Sequence, residues 1–310
     1  MQLIPDTIDW ASYAKSTEAR VKVKAASVFT DDLLAEFAPR DPKHKPPEMF
    51  STKLRGRIEF RPGELTAWAG YNGHRKSMFT GQVALDLMTA GYRTLLMSFE
   101  MQPSRSLARM ARQALGLLKP AGVSLQAFSR WTDGRLWMFD HVGRINPEVC
   151  LAVLRYFAEE LKGQQVFVDS MMMVCGSEES MDEQKQFVTD LVRVAQETGL
   201  HIHLITHCRK PQNGETSPPT KYDLRGSAAI SDQAHNVVTV WSNKDKHLAL
   251  QKDPSDAVAL AKPDARVAVE KQRNGAWEGR LALWFAEESL RFTDSRMQPV
   301  DPYTLYDEEI

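Results

Sequence analysis

The stretch Gly70-Tyr-Asn-Gly-His-Arg-Lys-Ser77 lies directly after the apolar run Leu65-Thr-Ala-Trp-Ala69 and directly before a helical pattern. A strand-length apolar segment, a glycine-bearing turn and a helix opening on Lys-Ser are the parts of a phosphate-binding P-loop, GxxxxGK[ST]. In such a loop backbone N–H groups wrap the phosphates, the lysine meets the β- and γ-phosphates, and the hydroxyl ligates Mg2+. Gly70, Lys76 and Ser77 keep the spacing, with Asn72, Gly73, His74 and Arg75 between them. Arg75 stands where the motif has its second glycine. A Cβ there is expected to crowd the nucleotide or resist the backbone angles. Gly73 offers flexibility close by, and the guanidinium could add positive charge near phosphate.

Outward from this loop, strand-length apolar runs alternate with helical patterns. The runs are Leu65–Ala69, Thr94–Phe99, Leu136–Phe139, Gln165–Val168, His201–Ile205 and Val237–Trp241. Apolar residues at spacings of three and four mark helices over 77–90, 104–115, 148–161 and 182–197. Buried strands alternating with amphipathic helices imply βαβ units and an α/β fold with a mainly parallel sheet covered on both faces. Val267–Val269, Arg280–Phe285 and Leu290–Phe292, with Asn274-Gly275 between the first two, predict antiparallel strands closing one edge. The polar stretch 243–263 reads as a surface loop. Pro39-Arg-Asp-Pro-Lys-His-Lys-Pro-Pro47 cannot continue a helix or a central strand, so it reads as a tether. The domain expectation is an arm and linker over 1–49, one ATP-binding domain over 50–295 and an acidic tail over 296–310.

Two carboxylates extend the loop's chemistry. Ser98-Phe-Glu100 puts Glu100 at the end of the second strand, facing the crevice where open α/β sheets bind ligands, placed to orient or deprotonate an attacking water. Val166-Phe-Val-Asp169 delivers a second acid from a buried strand to Mg2+ or its water shell. Thr206-His207 ends the next strand at the same edge, where His207 could sense the γ-phosphate, contact a bound strand or be purely structural. Five tryptophans, Trp68, Trp137, Trp241, Trp277 and Trp284, lie in or beside strand-like runs and read as packing.

Composition sets outer bounds. The 310 residues are 43% hydrophobic and 25% charged, the balance of a globular protein. No run reaches the roughly 18 apolar residues of a membrane span, and the start lacks the features of a secretory signal, so the cytoplasm is the expected location. The cysteines Cys150, Cys175 and Cys208 are odd in number and form no CxxC pair, which excludes a disulfide framework and a zinc cluster built from them. With 39 Lys and Arg against 40 acids, bulk charge neither demands nor forbids a polyanionic partner.

Assembled, four blocks resemble the RecA-like helicase domain of DnaB-type replicative ring helicases, especially the phage primase-helicases and their mitochondrial relative. They are Gly63–Ser77; Ser98-Phe-Glu-Met101; Val168-Asp-Ser170 with Thr206-His-Cys-Arg-Lys210; and Asp223-Leu-Arg-Gly-Ser-Ala-Ala-Ile230 running on to Glu270-Lys-Gln-Arg-Asn-Gly275. The similarity spans about residues 50–292. The resemblance implies ATP and Mg2+ as cofactors, Lys76 and Ser77 on the phosphates and metal, Glu100 as catalytic base, Asp169 as metal-site acid and His207 as coupling sensor. Lys271 and Arg273 look like the basic finger pair inserted into a neighbouring subunit's site. The implied activity is ATP-driven translocation on single-stranded DNA with duplex unwinding, by a homo-oligomer, hexameric in ring or helical form. DNA contact is expected on 171–184 and on the loop bearing Arg209, Lys210, Lys221 and Arg225, whose basic, polar sequence suits phosphate contacts. The acidic tail is similar to tails through which phage helicases meet replisome partners. The remaining alternatives are a non-unwinding DNA-binding or assembly protein with catalysis blunted by Arg75, and a recombinase-like filament ATPase.

Overall fold

The computed structural model describes residues 26–31, 34, 49–175, 181–211, 214–226 and 228–305. The tether 39–47 and the last residues of the acidic tail lie outside these. Met49 is already buried in the core.

Strand β1 (Leu65–Ala69) leads through the P-loop into α1 (Lys76–Thr89); β2 (Thr94–Ser98) then leads into α2 (Pro103–Leu115) and α3 (Gly122–Thr132). The order continues β3 (Leu136–Met138), α4 (Pro147–Glu159), β4 (Gln165–Asp169), α5 (Met171–Cys175), α6 (Met181–Thr198), β5 (His201–Ile205) and α7 (Ala229–Gln233). It ends β6 (Asn236–Ser242), α8 (Lys244–Lys252), α9 (Ala257–Ala261), β7 (Ala265–Gln272), β8 (Gly279–Ala286) and β9 (Arg291–Thr293). These form one nine-stranded sheet in the order β3-β2-β4-β5-β1-β6-β7-β8-β9. From β3 to β6 the pairing is parallel, and from β6 to β9 antiparallel. The expected α/β architecture, a mainly parallel sheet with antiparallel C-terminal strands, is therefore present.

Period-two alternation sorts even the fully buried strands between two cores. Leu65, Ala67 and Ala69 of β1 face a layer with Phe157 of α4 and Phe187 and Leu191 of α6. Trp68 faces the opposite layer, with Phe79 and Val83 of α1, Met110 of α2 and Phe292 of β9. Helix α1 is buried nearly all round, its Lys76, Thr80, Gln82 and Asp86 included, because the sheet, α2 and β9 enclose it. Its Gln82 amide donates to the Phe292 carbonyl at 3.1 Å and accepts from the Phe292 N–H at 2.8 Å, tying the C-terminal strands to the P-loop helix.

Three local expectations are revised. The stretch 243–263 is two short helices, α8 and α9, whose first turns are capped by Asn243 and Asp256 side chains. Such caps are local signals that prolines and alternating charges obscured. Within the proposed DNA segment 171–184, Met171–Cys175 is helical and Gln184 is fully buried, while 176–180 lies outside the described residues. The described part of the tail packs down: the Tyr303 hydroxyl donates to Asp86 Oδ1 of α1 at 2.6 Å, and its N–H reaches the Ala114 carbonyl of α2. Trp68, Trp137 and Trp241 are core residues as expected, and Trp277 and Trp284 are half-buried.

Candidate nucleotide site

At the C-terminal ends of β1, β4 and β5 the chain builds a cradle. Gly70 has no room for a side chain, since a Cβ there would stand 2.3 Å from the Val240 carbonyl oxygen. Its own carbonyl accepts from the Cys208 N–H, which anchors the segment after β5 against the P-loop. Gly73 takes a positive φ of 74°. Arg75 does too, with φ 61° and ψ 23°, the left-handed conformation that glycine adopts without penalty. The loop thus keeps its course, and the price is borne by an arginine. Its side chain leaves the loop for the C-terminal strands, with the guanidinium 4.0 Å from the Phe285 ring and 3.7 Å from Glu287 Oε1. The crowding expected from the sequence is resolved by this outward exit.

Lys76 folds back over the loop. Its ammonium donates to the carbonyls of Gly70 and Tyr71 at 3.0 Å each and lies 3.3 Å from His207 Nδ1. Burial lowers its pKa, opposed chiefly by Asp169. The Ser77 hydroxyl donates to Asp169 Oδ2 at 2.6 Å. Burial raises the Asp169 pKa, against the lowering hydrogen bond from Ser77. Glu100 accepts from the Ser170 hydroxyl at 2.6 Å and stands 3.7 Å from His207 Nε2. The His207 and then Ser170 interactions hold Glu100 down to about 2 against the opposing effect of burial, so this carboxylate is ionised at neutral pH. One cleft is lined by Asn72, Gly73, His74, Arg75, Lys76, Ser77, Glu100, Asp169 and His207, and also by Met78 and Arg109.

The donor set fits a hard divalent cation. Mg2+ takes oxygen ligands at octahedral sites, commonly one or two carboxylates with phosphate and water completing the shell. Ser77 Oγ and Asp169 Oδ2 would supply the protein oxygens. The adjoining Ser98 hydroxyl, which lines a small cavity with Ser77 and Asp169, is buried without a hydrogen-bond partner. It is a ready acceptor or donor for a metal-bound water.

Residues 23–213 match a family model described as AAA domain. The chain belongs to the AAA domain family. Two solved structures share the architecture of this AAA domain across its length. The first, the ATPase domain of another protein, aligns with a TM-score of 0.72 at 15% identity, covering 89% of this chain and 100% of that one. The second, a DnaB-like replicative helicase solved in a study of its interactions with primase, aligns with a TM-score of 0.69 at 16% identity, covering 88% of this chain and 67% of that one. The fold is that of a DnaB-type helicase ATPase domain, and the protein is a P-loop ATPase.

The remaining site expectations separate in space. Lys271 and Arg273 lie near the start of β6, where Lys271 pairs with Val237, at the opposite end of the parallel strands from the AAA domain's own P-loop. A five-residue strand such as β1 spans about 15 Å, so neither residue reaches Lys76 of the same chain. Instead Lys271 donates to the Ser231 and Asp232 carbonyls at 2.8 Å, and Arg273 to the Asp232 carbonyl at 3.1 Å, at the end of α7. Arg209, Lys210 and Arg225 come together with His207 and Asn72 in an open cleft of about 720 Å3 next to the nucleotide site. Lys221 turns elsewhere, onto the Glu270 carbonyl. Sequence reading missed Ser170, Ser98, Arg109 and Glu215. Ser170 adjoins Asp169 and was within reach of inspection, whereas Glu215 arrives from a long loop with no local signal.

Proposed function

We propose that this AAA domain is the motor of a DNA helicase of the replicative ring type, coupling ATP hydrolysis to translocation on single-stranded DNA and duplex unwinding. The observation that carries the reading is continuity: His207 lines both the nucleotide cleft and the basic cleft bearing Arg209, Lys210 and Arg225. A cleft lined by cations and open at its mouth suits a phosphate backbone without base reading.

In this reading Lys76 and the P-loop N–H groups hold the triphosphate, and Ser77 and Asp169 hold Mg2+, which supplies charge neutralisation at the phosphates. Glu100 orients and deprotonates the attacking water, with Ser170 fixing its carboxylate. His207, in contact range of both Lys76 and Glu100, reports phosphate occupancy to the basic cleft. Lys271 and Arg273 act in trans on a neighbour's nucleotide, stabilising transition-state charge and making hydrolysis depend on assembly into a homo-oligomer, a hexamer in ring or helical form. Their distance from the chain's own P-loop supports that assignment. The acidic tail over 296–310 is a contact for a replisome partner. Among the described residues no helix is long and apolar enough to cross a membrane, in keeping with action in the cytoplasm, in a bacterial host if phage-encoded.

The test is steady-state ATP hydrolysis by the purified chain with and without single-stranded DNA, with Lys76→Ala as blank. Hydrolysis stimulated by DNA and lost in Lys76→Ala is expected, followed by strand displacement on a forked duplex. Nucleotide binding with hydrolysis no higher than the blank under both conditions would refute the motor and leave a nucleotide-held assembly protein.

A further inference from the structure

The P-loop side chain at position 74 is fully buried and fixed at both ring nitrogens. The Ser242 backbone N–H donates to His74 Nδ1 at 3.0 Å, so Nδ1 is unprotonated and the neutral ring carries its hydrogen on Nε2. That N–H donates to Glu215 Oε2 at 2.9 Å. Burial lowers the His74 pKa, in keeping with a neutral ring. The Ser242 hydroxyl further donates to the His74 carbonyl at 3.2 Å. Glu215 belongs to the loop between Arg209 and Arg225, whose base is closed by Arg209 N–H to the Asp223 carbonyl and Arg225 N–H to the His207 carbonyl. Lys244 reaches the same Glu215 oxygen at 2.5 Å, and the Trp241 indole N–H holds the Glu215 carbonyl at 2.9 Å.

We infer that Glu215 is a positioning residue that couples nucleotide occupancy to single-stranded DNA binding, by latching the basic loop to the P-loop through His74. The inference rests on the proposed function. Its driving force is the sign of the charge: the latch sets a carboxylate against a loop that binds an anion. Arrival of a triphosphate raises the energy of the latched state relative to the unlatched one, because like charges approach. Release frees the segment bearing Arg209 and Lys210 to close on DNA phosphates. By linkage, DNA that draws the loop away relieves the same repulsion and tightens nucleotide binding by the same factor. Lys244 moderates the effect by neutralising part of the carboxylate's charge.

Two substitutions shift this coupling in opposite directions. Glu215→Gln keeps an acceptor for the His74 N–H but removes the charge. Lys244→Met leaves the carboxylate uncompensated. The experiment is titration of labelled oligo(dT) onto the full chain, with and without Mg2+ and a non-hydrolysable ATP analogue, at fixed low salt. For wild type the analogue should tighten oligo(dT) binding at least about fivefold, the lower end of ordinary allosteric coupling. In Glu215→Gln the factor should fall below about twofold, with nucleotide-free affinity raised, and in Lys244→Met it should exceed the wild-type factor. Glu215→Gln retaining the wild-type factor would show a purely structural tie and overturn the inference, as would both variants losing coupling together. A wild type that binds both ligands with no mutual effect overturns the inference alone. A wild type that binds neither overturns the proposed function as well.

Discussion

Replacing Arg75 with glycine tests whether the departure from the P-loop motif is a defect or an accommodated feature. Four contributions can be set against one another. A residue with a Cβ in the left-handed region costs about 1–2 kcal/mol, which glycine removes. The Arg75 Nη1 atom is buried without a hydrogen-bond partner, a further cost of about 1 kcal/mol that disappears with the side chain. Against these, glycine loses roughly 0.5–1 kcal/mol through the greater freedom of the unfolded chain. Lost contact with the Phe285 ring, 4.0 Å away, costs about 1 kcal/mol or somewhat more. The pair with Glu287 is worth little, since that carboxylate is 71% exposed. The sum lies within about 1 kcal/mol of zero. Arg75→Ala loses the ring contact and keeps the left-handed backbone, so it should be about 1 kcal/mol less stable than Arg75→Gly. Urea unfolding of the three proteins measures both differences. ATP hydrolysis by Arg75→Gly should stay within a few-fold of wild type, because the loop already follows the glycine path and the guanidinium points away. An alanine variant as stable as the glycine one would refute the backbone argument. A rise in hydrolysis beyond about tenfold, or 1.4 kcal/mol of barrier, would show that Arg75 blunts the site.

Other consequences are as accessible. Asp86, wholly buried beneath Tyr303 and the Phe50 N–H, has its pKa pushed up by burial to about 7 from 3.8. A carboxyl raised in the folded state contributes stability that is fully present below its unfolded pKa and lost as pH rises through the folded one. Relative to Asp86→Asn, wild type should therefore lose about 1.4 kcal/mol per pH unit between pH 5 and 7 and then level off; a pH-independent difference by thermal unfolding would contradict this. Because Glu100 sits at about 2, its titration should place no acid limb on kcat between pH 5 and 9. Ser170→Ala, which removes one stabilising donor, should raise the Glu100 pKa, read by NMR titration of its carboxyl carbon at acid pH; an unchanged carboxyl pKa would argue against the contact. Glu100→Gln should bind nucleotide yet hydrolyse it about 10²–10⁴-fold more slowly, read by single-turnover kinetics. Arg273→Ala should lose about 10³-fold or more in kcat within the assembled protein. Mixing it with Lys76→Ala should restore activity at interfaces that pair an intact P-loop with an intact finger; no recovery would speak against action in trans.

Much of the candidate site was written in the sequence, for a specific reason. Asp169 closes an apolar strand, Glu100 and His207 stand two residues past theirs, and Lys76 and Ser77 open the helix reached from β1 through the glycine-bearing loop; in a parallel sheet the strand ends share one edge. Periodicity and spacing therefore sufficed to bring them together, and to fix an α/β fold with antiparallel strands at its far edge. Sequence could not settle what depends on contacts between distant segments. That Arg75 is accommodated rests on Phe285, more than two hundred positions away, and on a backbone angle that the residue's identity argues against. That Lys271 and Arg273 lie beyond reach of their own P-loop follows from the antiparallel register of β7 on β6. Glu215 meets His74 only because the loop after β5 folds back over the P-loop, and Tyr303 finds Asp86 only once the chain end has packed on α1. Local pattern determined which residues stand at the sheet's edge; the tertiary structure decided where Arg75, Glu215 and Tyr303 find their contacts, because those positions are set by packing partners that no local pattern encodes.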